Sequence, residues 1–72
     1  MSSHDFPALQ KNLESRVRAC TGSRLSNLGI ELSPEGIRIL GHTTTFYVKQ
    51  LAQHCVREML PDVRLVNDIH VS

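Results

Sequence analysis

The stretch from Gly36 to Leu60 constrains the fold of this 72-residue chain more than any other stretch. It reads GIRILGHTTTFYVKQLAQHCVREML, a short alternating segment followed by the most periodic segment of the chain. The periodic part has apolar residues at the spacing of a helix that buries one stripe. That stripe consists of Val48, Leu51, Ala52, Cys55 and Met59. The pattern predicts a strand that exits at Gly41, then a long amphipathic helix that ends before Pro61.

The signals around this helix are also clear. Thr43, Thr44 and Thr45 precede it, and any of them can cap free N–H groups at its start. On its polar side, His54 and Glu58 stand four residues apart, where neighbouring side chains can pair.

An earlier helix is predicted from about Pro7 to Cys20. Asp5 is placed to act as its N-cap, and Gly22 supplies the left-handed position that follows many helices. Its predicted inward stripe is Phe6 or Leu9, then Leu13, Val17 and Cys20.

Three segments alternate between apolar and polar residues, as strands with one buried face do. Leu28 to Leu32 and Ile37 to Gly41 are separated by a turn at residues 33–36 and form a predicted hairpin. Val63 to Val71 is a third predicted strand with an irregular start or a bulge. The expected inward residues are Leu28, Ile30, Leu32, Ile37, Ile39, Ile69 and Val71.

The predicted fold class is therefore α+β, with the order α-β-β-α-β. A hairpin followed by a helical crossover places the third strand parallel to the second, so the sheet is mixed and three-stranded, and its second strand is central. Residues 7–72 form one domain behind a short tail, residues 1–6. Both helices pack on one face of the sheet and leave the other face open. The open face is expected to carry Glu31, Arg38, Leu40, Asp68 and His70.

Composition limits the classes of function that this chain can have. The chain is 40% apolar and 21% charged, with a net charge of +1, which is typical of a small globular domain. Acidic and basic residues are interspersed along the sequence with no run of like charge, so no general electrostatic capture of nucleic acid or anionic lipid is predicted. Cys20 lies near the end of the first predicted helix and Cys55 inside the second, so no disulfide framework is predicted, and a buried structural thiol is expected at each.

The start of the sequence bears on location. No secretory signal and no long apolar run are visible, which predicts a cytoplasmic protein as written and no transmembrane segment. A mature form recloned behind a new Met1 would instead be periplasmic or associated with the cell envelope.

Three stretches together resemble a BON domain, the module named after osmotically inducible and nodulation proteins of bacteria. They are the hairpin from Ile30 to Gly41, the helix around Lys49 to Val56, and the closing segment from Pro61 to Val71, which contains Asn67. The chain departs from the family pattern because it has one copy and no signal, and because Asp62 stands where glycine is usual.

The resemblance implies a non-catalytic binding module that recognises a phospholipid surface or a protein partner. It carries over no catalytic residue and no cofactor.

Three surfaces are candidate binding sites. Lys49, Gln53 and Arg57 fall four residues apart on the long helix and could follow a lipid headgroup or a partner carboxylate, although such a stripe is usually only a solvated face. His42, Thr43 and Thr44 could form an anion site at the helix N-terminus, although a turn and an N-cap are the favoured explanation, because a phosphate loop needs several glycines and only Gly41 is present.

The third surface is on the sheet. Arg38, Leu40 and His70 could form a docking face, and the exposed sheet edges allow a weak dimer as well as a monomer.

The spacing of the reactive residues does not support an enzyme or a metal-binding site. The four histidines, His4, His42, His54 and His70, match no zinc spacing, and no nucleophile signature is present. An enzyme that uses His54 and Cys55 would lack a readable base. No catalytic residue, metal site or cofactor is predicted.

The alternative function is a small KH-like nucleic-acid-binding domain, because that class has a similar element order. The Gly-x-x-Gly loop that clamps a nucleic-acid backbone is absent, and the aromatic residues are only Phe6, Phe46 and Tyr47. We therefore expect no nucleic-acid partner.

Overall fold

The computed structural model describes residues 5–72, and their side chains from Ala8 onward. Its elements follow one another in the predicted order, α-β-β-α-β, with a short 3-10 turn after the first helix. They are α1 (Asp5–Thr21), the 3-10 turn (Gly22–Arg24), β1 (Ser26–Ser33), β2 (Gly36–Thr43), α2 (Phe46–Met59) and β3 (Leu65–Val71). The predicted fold class is confirmed.

The three strands form one sheet in the order β1-β2-β3. β1 pairs with β2 antiparallel, as the short turn between them requires, and β3 pairs with β2 parallel. The prediction of a central second strand is therefore confirmed. Residues in register on neighbouring strands have their side chains on the same face of the sheet, and His42 and His70 are such a pair.

The core lies between the two helices and one face of the sheet. Its fully buried members come from both α-helices and all three strands, with the periodicity expected of each. They are Leu13, Val17, Ile30, Ile39, Val48, Ala52, Val56 and Ile69, with Leu25, Ile37 and Cys55 nearly as well buried. The predicted stripe of α2 omitted Val56, which lies beside Ala52 on the inward face.

The prediction that β2 exits at Gly41 is wrong, because the strand continues to Thr43. Parallel pairing with β3 extends it: the ladder includes His42 with His70 and Thr43 with Val71. The Ser72 N–H then donates to the Thr43 carbonyl oxygen at 3.1 Å. These hydrogen bonds come from a distant segment, so the local sequence gives no sign of them.

The other element boundaries move by a few residues. α1 begins at Asp5 instead of about Pro7, and the predicted inward position of Phe6 lies outside the described side chains. Gly22 has φ +64°, which confirms the left-handed position. β1 begins at Ser26 with a bulge before Gly29, and β3 begins at Leu65, two residues later than predicted.

The expectation of two free thiols is wrong: Cys20 and Cys55 form a disulfide. The sulfur of Cys55 is on the buried stripe of α2, while Cys20 is exposed at the end of α1. The two helices pack side by side, which brings these Cα atoms to 6.7 Å, within the range that a disulfide spans. The bond closes a segment of 35 residues and ties the two helices together.

Candidate functional site

Two aromatic side chains at the start of α2 are exposed to solvent. Phe46 is 60% exposed and Tyr47 is 62% exposed. Their position follows from the cap: the Thr45 hydroxyl accepts a hydrogen bond from the Val48 N–H at 3.3 Å, so the helix begins two residues before its first buried position. Among residues 8–72, only Val66 is another large apolar residue with this degree of exposure, at 46%. Adjacent exposed aromatics are typical of an interaction surface.

Lys49 lies one helical turn after Phe46 and completes what we call the aromatic-basic patch, Phe46, Tyr47 and Lys49. The Lys49 side chain is half-buried. It makes no salt bridge with any of the side chains that the structure describes. Phe46, Tyr47 and Lys49 line the same surface depression, so a positive charge and two exposed aromatic rings belong to one patch.

The remaining residues of the predicted helix stripe are held by the rest of the fold. Gln53 accepts a hydrogen bond from the Asn67 side-chain amide at 3.2 Å, and Arg57 donates from Nη1 to the Val63 carbonyl oxygen at 3.3 Å. Both side chains are exposed. Lys49, Gln53 and Arg57 therefore do follow one side of α2, but two of them already have partners within the chain.

Asn67 fixes this side of α2 to the sheet, which the sequence did not predict. Its Nδ2 donates to the Lys49 carbonyl oxygen at 2.9 Å, besides the bond to Gln53. Its Oδ1 accepts from the Ile69 N–H at 3.2 Å. Asn67 lies on the inward side of β3, where alternation alone would place an apolar residue.

The charges of the chain are divided between its two layers. We use helical layer for α1, the 3-10 turn and α2, that is, residues 5–24 and 46–59. Six of the eight basic residues but only three of the seven acidic residues belong to this layer. The basic ones are Lys11, Arg16, Arg18, Arg24, Lys49 and Arg57. The sheet and its loops carry the other two basic residues and four acidic ones, so the helical layer is positive and the sheet side is negative.

Opposite charges on the open sheet face largely neutralise one another. Arg38 pairs with Glu31 at 3.8 Å and with Asp68 at 3.4 Å, and all three side chains are about half exposed. The predicted placement of these three residues on one face is therefore confirmed. Leu40 is half-buried, and the His70 ring lies against the His42 ring.

The three residues of the predicted anion site separate in the structure. His42 belongs to the sheet, and its Nε2 lies 2.6 Å from the Ser72 hydroxyl. Thr43 is 2% exposed, and its hydroxyl accepts from the Thr45 N–H at 3.5 Å. Only Thr44 is exposed, and the cap of α2 is Thr45.

Residues 8–72 contain no group of three or more His, Cys, Asp or Glu side chains arranged to hold a metal ion. Within the described part of the chain, neither helix has the length and apolar character needed to cross a bilayer.

No protein-family model matches the chain, and neither does any curated protein or solved structure.

Proposed function

We propose that this chain is a non-catalytic binding module that places its helical layer against an anionic phospholipid surface. One observation carries the proposal, namely the exposure of Phe46 and Tyr47 beside Lys49. Aromatic rings favour the boundary between lipid headgroups and acyl chains, because one part of that environment is apolar and the other is wet. A neighbouring ammonium group adds attraction to lipid phosphates.

The charge division between the layers supports the same orientation. A basic residue near an anionic membrane contributes about 1 kcal/mol of attraction. The six basic residues of the helical layer outnumber its three acidic residues, while the sheet side is repelled by the same surface. Binding through the helical layer should therefore be weak to moderate and should fall as salt screens the charges.

The resemblance to BON domains supports a binding role over catalysis. It implies a module that acts at envelope surfaces, and the hairpin from Ile30 to Gly41 and the closing segment from Pro61 to Val71 carry that resemblance. The Cys20–Cys55 disulfide supports an oxidising compartment as the place of action, because such bonds persist there and are rare in the cytosol.

Vesicle co-sedimentation tests the proposal. We expect binding to vesicles that contain phosphatidylglycerol, no binding to vesicles of phosphatidylcholine alone, and weaker binding at physiological salt, where the Debye length is about 8 Å. Replacing Phe46 and Tyr47 together by Ala should weaken binding severalfold. Val66→Ala is the matched control, since it removes an exposed apolar side chain from the opposite layer, and it should bind as the wild type does.

Three results would overturn the proposal. They are no binding to anionic vesicles at low salt, equal loss with Val66→Ala, and binding to a short RNA that exceeds binding to the vesicles. The last result would favour the KH-like alternative, whereas absence of both would point to a protein partner.

A further inference from the structure

Two histidines that are far apart in the sequence meet on the open sheet face. His42 in β2 and His70 in β3 are register partners. Their ring centroids are 5.7 Å apart, and the ring planes are inclined by 23°. His70 is exposed and His42 is half-buried, so water and small ions can reach the pair. Neither ring belongs to the core. We call these two residues the histidine pair.

We propose that the histidine pair binds a divalent transition-metal ion of the Cu²⁺ type through one nitrogen of each imidazole. Imidazole nitrogen is a preferred ligand of Cu²⁺, Ni²⁺ and Zn²⁺, and affinity for a given site is highest for Cu²⁺ in this series. Two nitrogens and two waters satisfy the tetragonal geometry of Cu²⁺, whereas structural zinc sites take four protein ligands.

The spacing of the histidine pair suits such a chelate. Metal–imidazole bonds are about 2.0–2.1 Å long, so the two ligating nitrogens must approach to about 3 Å. Neighbouring strands are about 4.8 Å apart, which puts in-register side chains within that reach once the rings turn about their side-chain bonds. The rings of His42 and His70 are stacked on neighbouring strands, and we expect rotation about their side-chain bonds to turn one nitrogen of each ring toward a shared ion.

Ser72 supplies a partner for the second nitrogen of His42. Its hydroxyl lies 2.6 Å from Nε2 of that ring. When Nε2 carries the proton and donates to the hydroxyl oxygen, Nδ1 keeps the free electron pair that a metal ion requires. Metal-ligating histidines usually have a hydrogen bond of this kind, which fixes the tautomer and the orientation of the ring.

His54 shows the contrast. It is exposed on α2, and its Nε2 pairs with the Glu58 carboxylate at 3.1 Å. It has no imidazole neighbour among the described residues. Replacement of His54 is therefore a matched control, because it removes an exposed histidine without touching the histidine pair.

Calorimetric titration of the oxidised protein with Cu²⁺ tests the proposal. All proteins carry His4→Asn, since His4 lies outside the described residues and its imidazole must not contribute. We expect one ion per chain, and at least about tenfold weaker binding in His42→Asn and in His70→Asn, because each removes one of two ligands. His54→Asn should leave the affinity unchanged, and Zn²⁺ should bind more weakly than Cu²⁺.

Paramagnetic broadening gives a second readout that does not depend on the variants. Substoichiometric Cu²⁺ should broaden the amide signals around His42 and His70 first and leave those around His54 sharp. The proposal is overturned if Cu²⁺ does not bind, if the broadening centres elsewhere, or if His42→Asn and His70→Asn, shown to be folded by circular dichroism, bind as tightly as the His4→Asn parent. This result is independent of vesicle binding, since the open sheet face lies opposite the helical layer.

Discussion

At the scale of single residues, Asn67 has a structural role that its position in the sequence does not predict. It is polar at an inward position of an edge strand, yet its three hydrogen bonds leave neither end of its amide without a partner. Buried or half-buried amides are tolerated under this condition, because an unpaired polar group is costly. The bond to the Ile69 N–H also occupies a backbone donor on the free edge of β3, where another strand could otherwise pair.

We expect Asn67→Ala to lower the free energy of unfolding by about 2 kcal/mol, since hydrogen bonds contribute about 1 kcal/mol each and the groups left behind are partly buried. Urea denaturation measures this change. Asn12→Ala is the control, because Asn12 is exposed in the middle of α1 and Ala is the better helix former. Equal stability of the two variants would show that Asn67 is not a tie between α2 and the sheet.

Gly36 is a second residue whose identity has a geometric cause. It has φ +147°, and a Cβ built there would collide with the Arg64 carbonyl oxygen, which accepts from the Ile37 N–H at 2.8 Å. We expect Gly36→Ala to destabilise the fold by about 2 kcal/mol or more, because both the strained backbone and the clash must be relieved.

Gly29→Ala provides the comparison for Gly36. A Cβ at Gly29 would meet only the Leu40 side chain, at ordinary contact distances of 3.8 and 3.9 Å. Thermal unfolding should show little change for Gly29→Ala and a clear loss for Gly36→Ala. A similar transition temperature for both variants would contradict the proposed close approach of Gly36 to Arg64.

At the scale of elements, periodicity was sufficient to predict both helices, the hairpin and the inward residues Ile30, Ile39 and Val48. These predictions succeed because each element has to bury one face against the others. The end of β2 could not be predicted in this way, since residues 42 and 43 are held in the strand by pairing with β3.

The candidate sites depend even more on such distant contacts. The histidine pair joins positions 28 residues apart in sequence, and His42 had been assigned to a turn. Lys49, Gln53 and Arg57 lie along one side of α2, whereas their role as a binding face stays a prediction. The aromatic rings beside this stripe were not included, because apolar residues before a helix stripe are as consistent with burial as with exposure.

The Cys20–Cys55 disulfide also belongs to the scale of elements, because it joins α1 to α2. Spacing along the sequence carries no information on whether two helices bring their cysteines together. A closed segment of 35 residues restricts the unfolded chain, and this effect contributes about 4 kcal/mol in the chain-entropy description. That contribution is a large part of the stability of a domain of this size, which is about 4–11 kcal/mol.

We therefore expect dithiothreitol to lower the urea midpoint of the wild type markedly. Cys20→Ala with Cys55→Ala should show the lower midpoint without reductant, and dithiothreitol should not change it further. The double variant separates reduction of the bond from any other effect of the reagent. A wild-type midpoint that stays the same after complete reduction, verified by mass, would show that packing of the helices suffices without the bond.

At the scale of the whole molecule, the charge division changes what the net charge of +1 implies. Opposite charges are interspersed along the sequence, a pattern that predicts no electrostatic capture of an anionic surface. The fold sorts them, because helices and strands that alternate along the chain lie in different layers. A nearly neutral protein thereby acquires a positive side and a negative side. The electrostatic potential close to each side differs from the potential that the same net charge would produce if it were spread evenly over the surface.

This division predicts different effects for two charge reversals that are identical in net charge. Lys11→Glu changes an exposed basic residue of the helical layer, and Arg64→Glu changes an exposed basic residue beside the sheet. Lys11→Glu should weaken binding to phosphatidylglycerol vesicles by at least about fivefold at low salt, since about 1 kcal/mol is lost per basic residue near the surface. Arg64→Glu should have a smaller effect, because Arg64 lies beside the sheet, on the side that faces away from the lipid in the proposed orientation. If net charge alone governed the attraction, the two variants would lose affinity equally. The ratio of their vesicle affinities, measured by sedimentation at low and at physiological salt, therefore reports which layer of the protein faces the lipid.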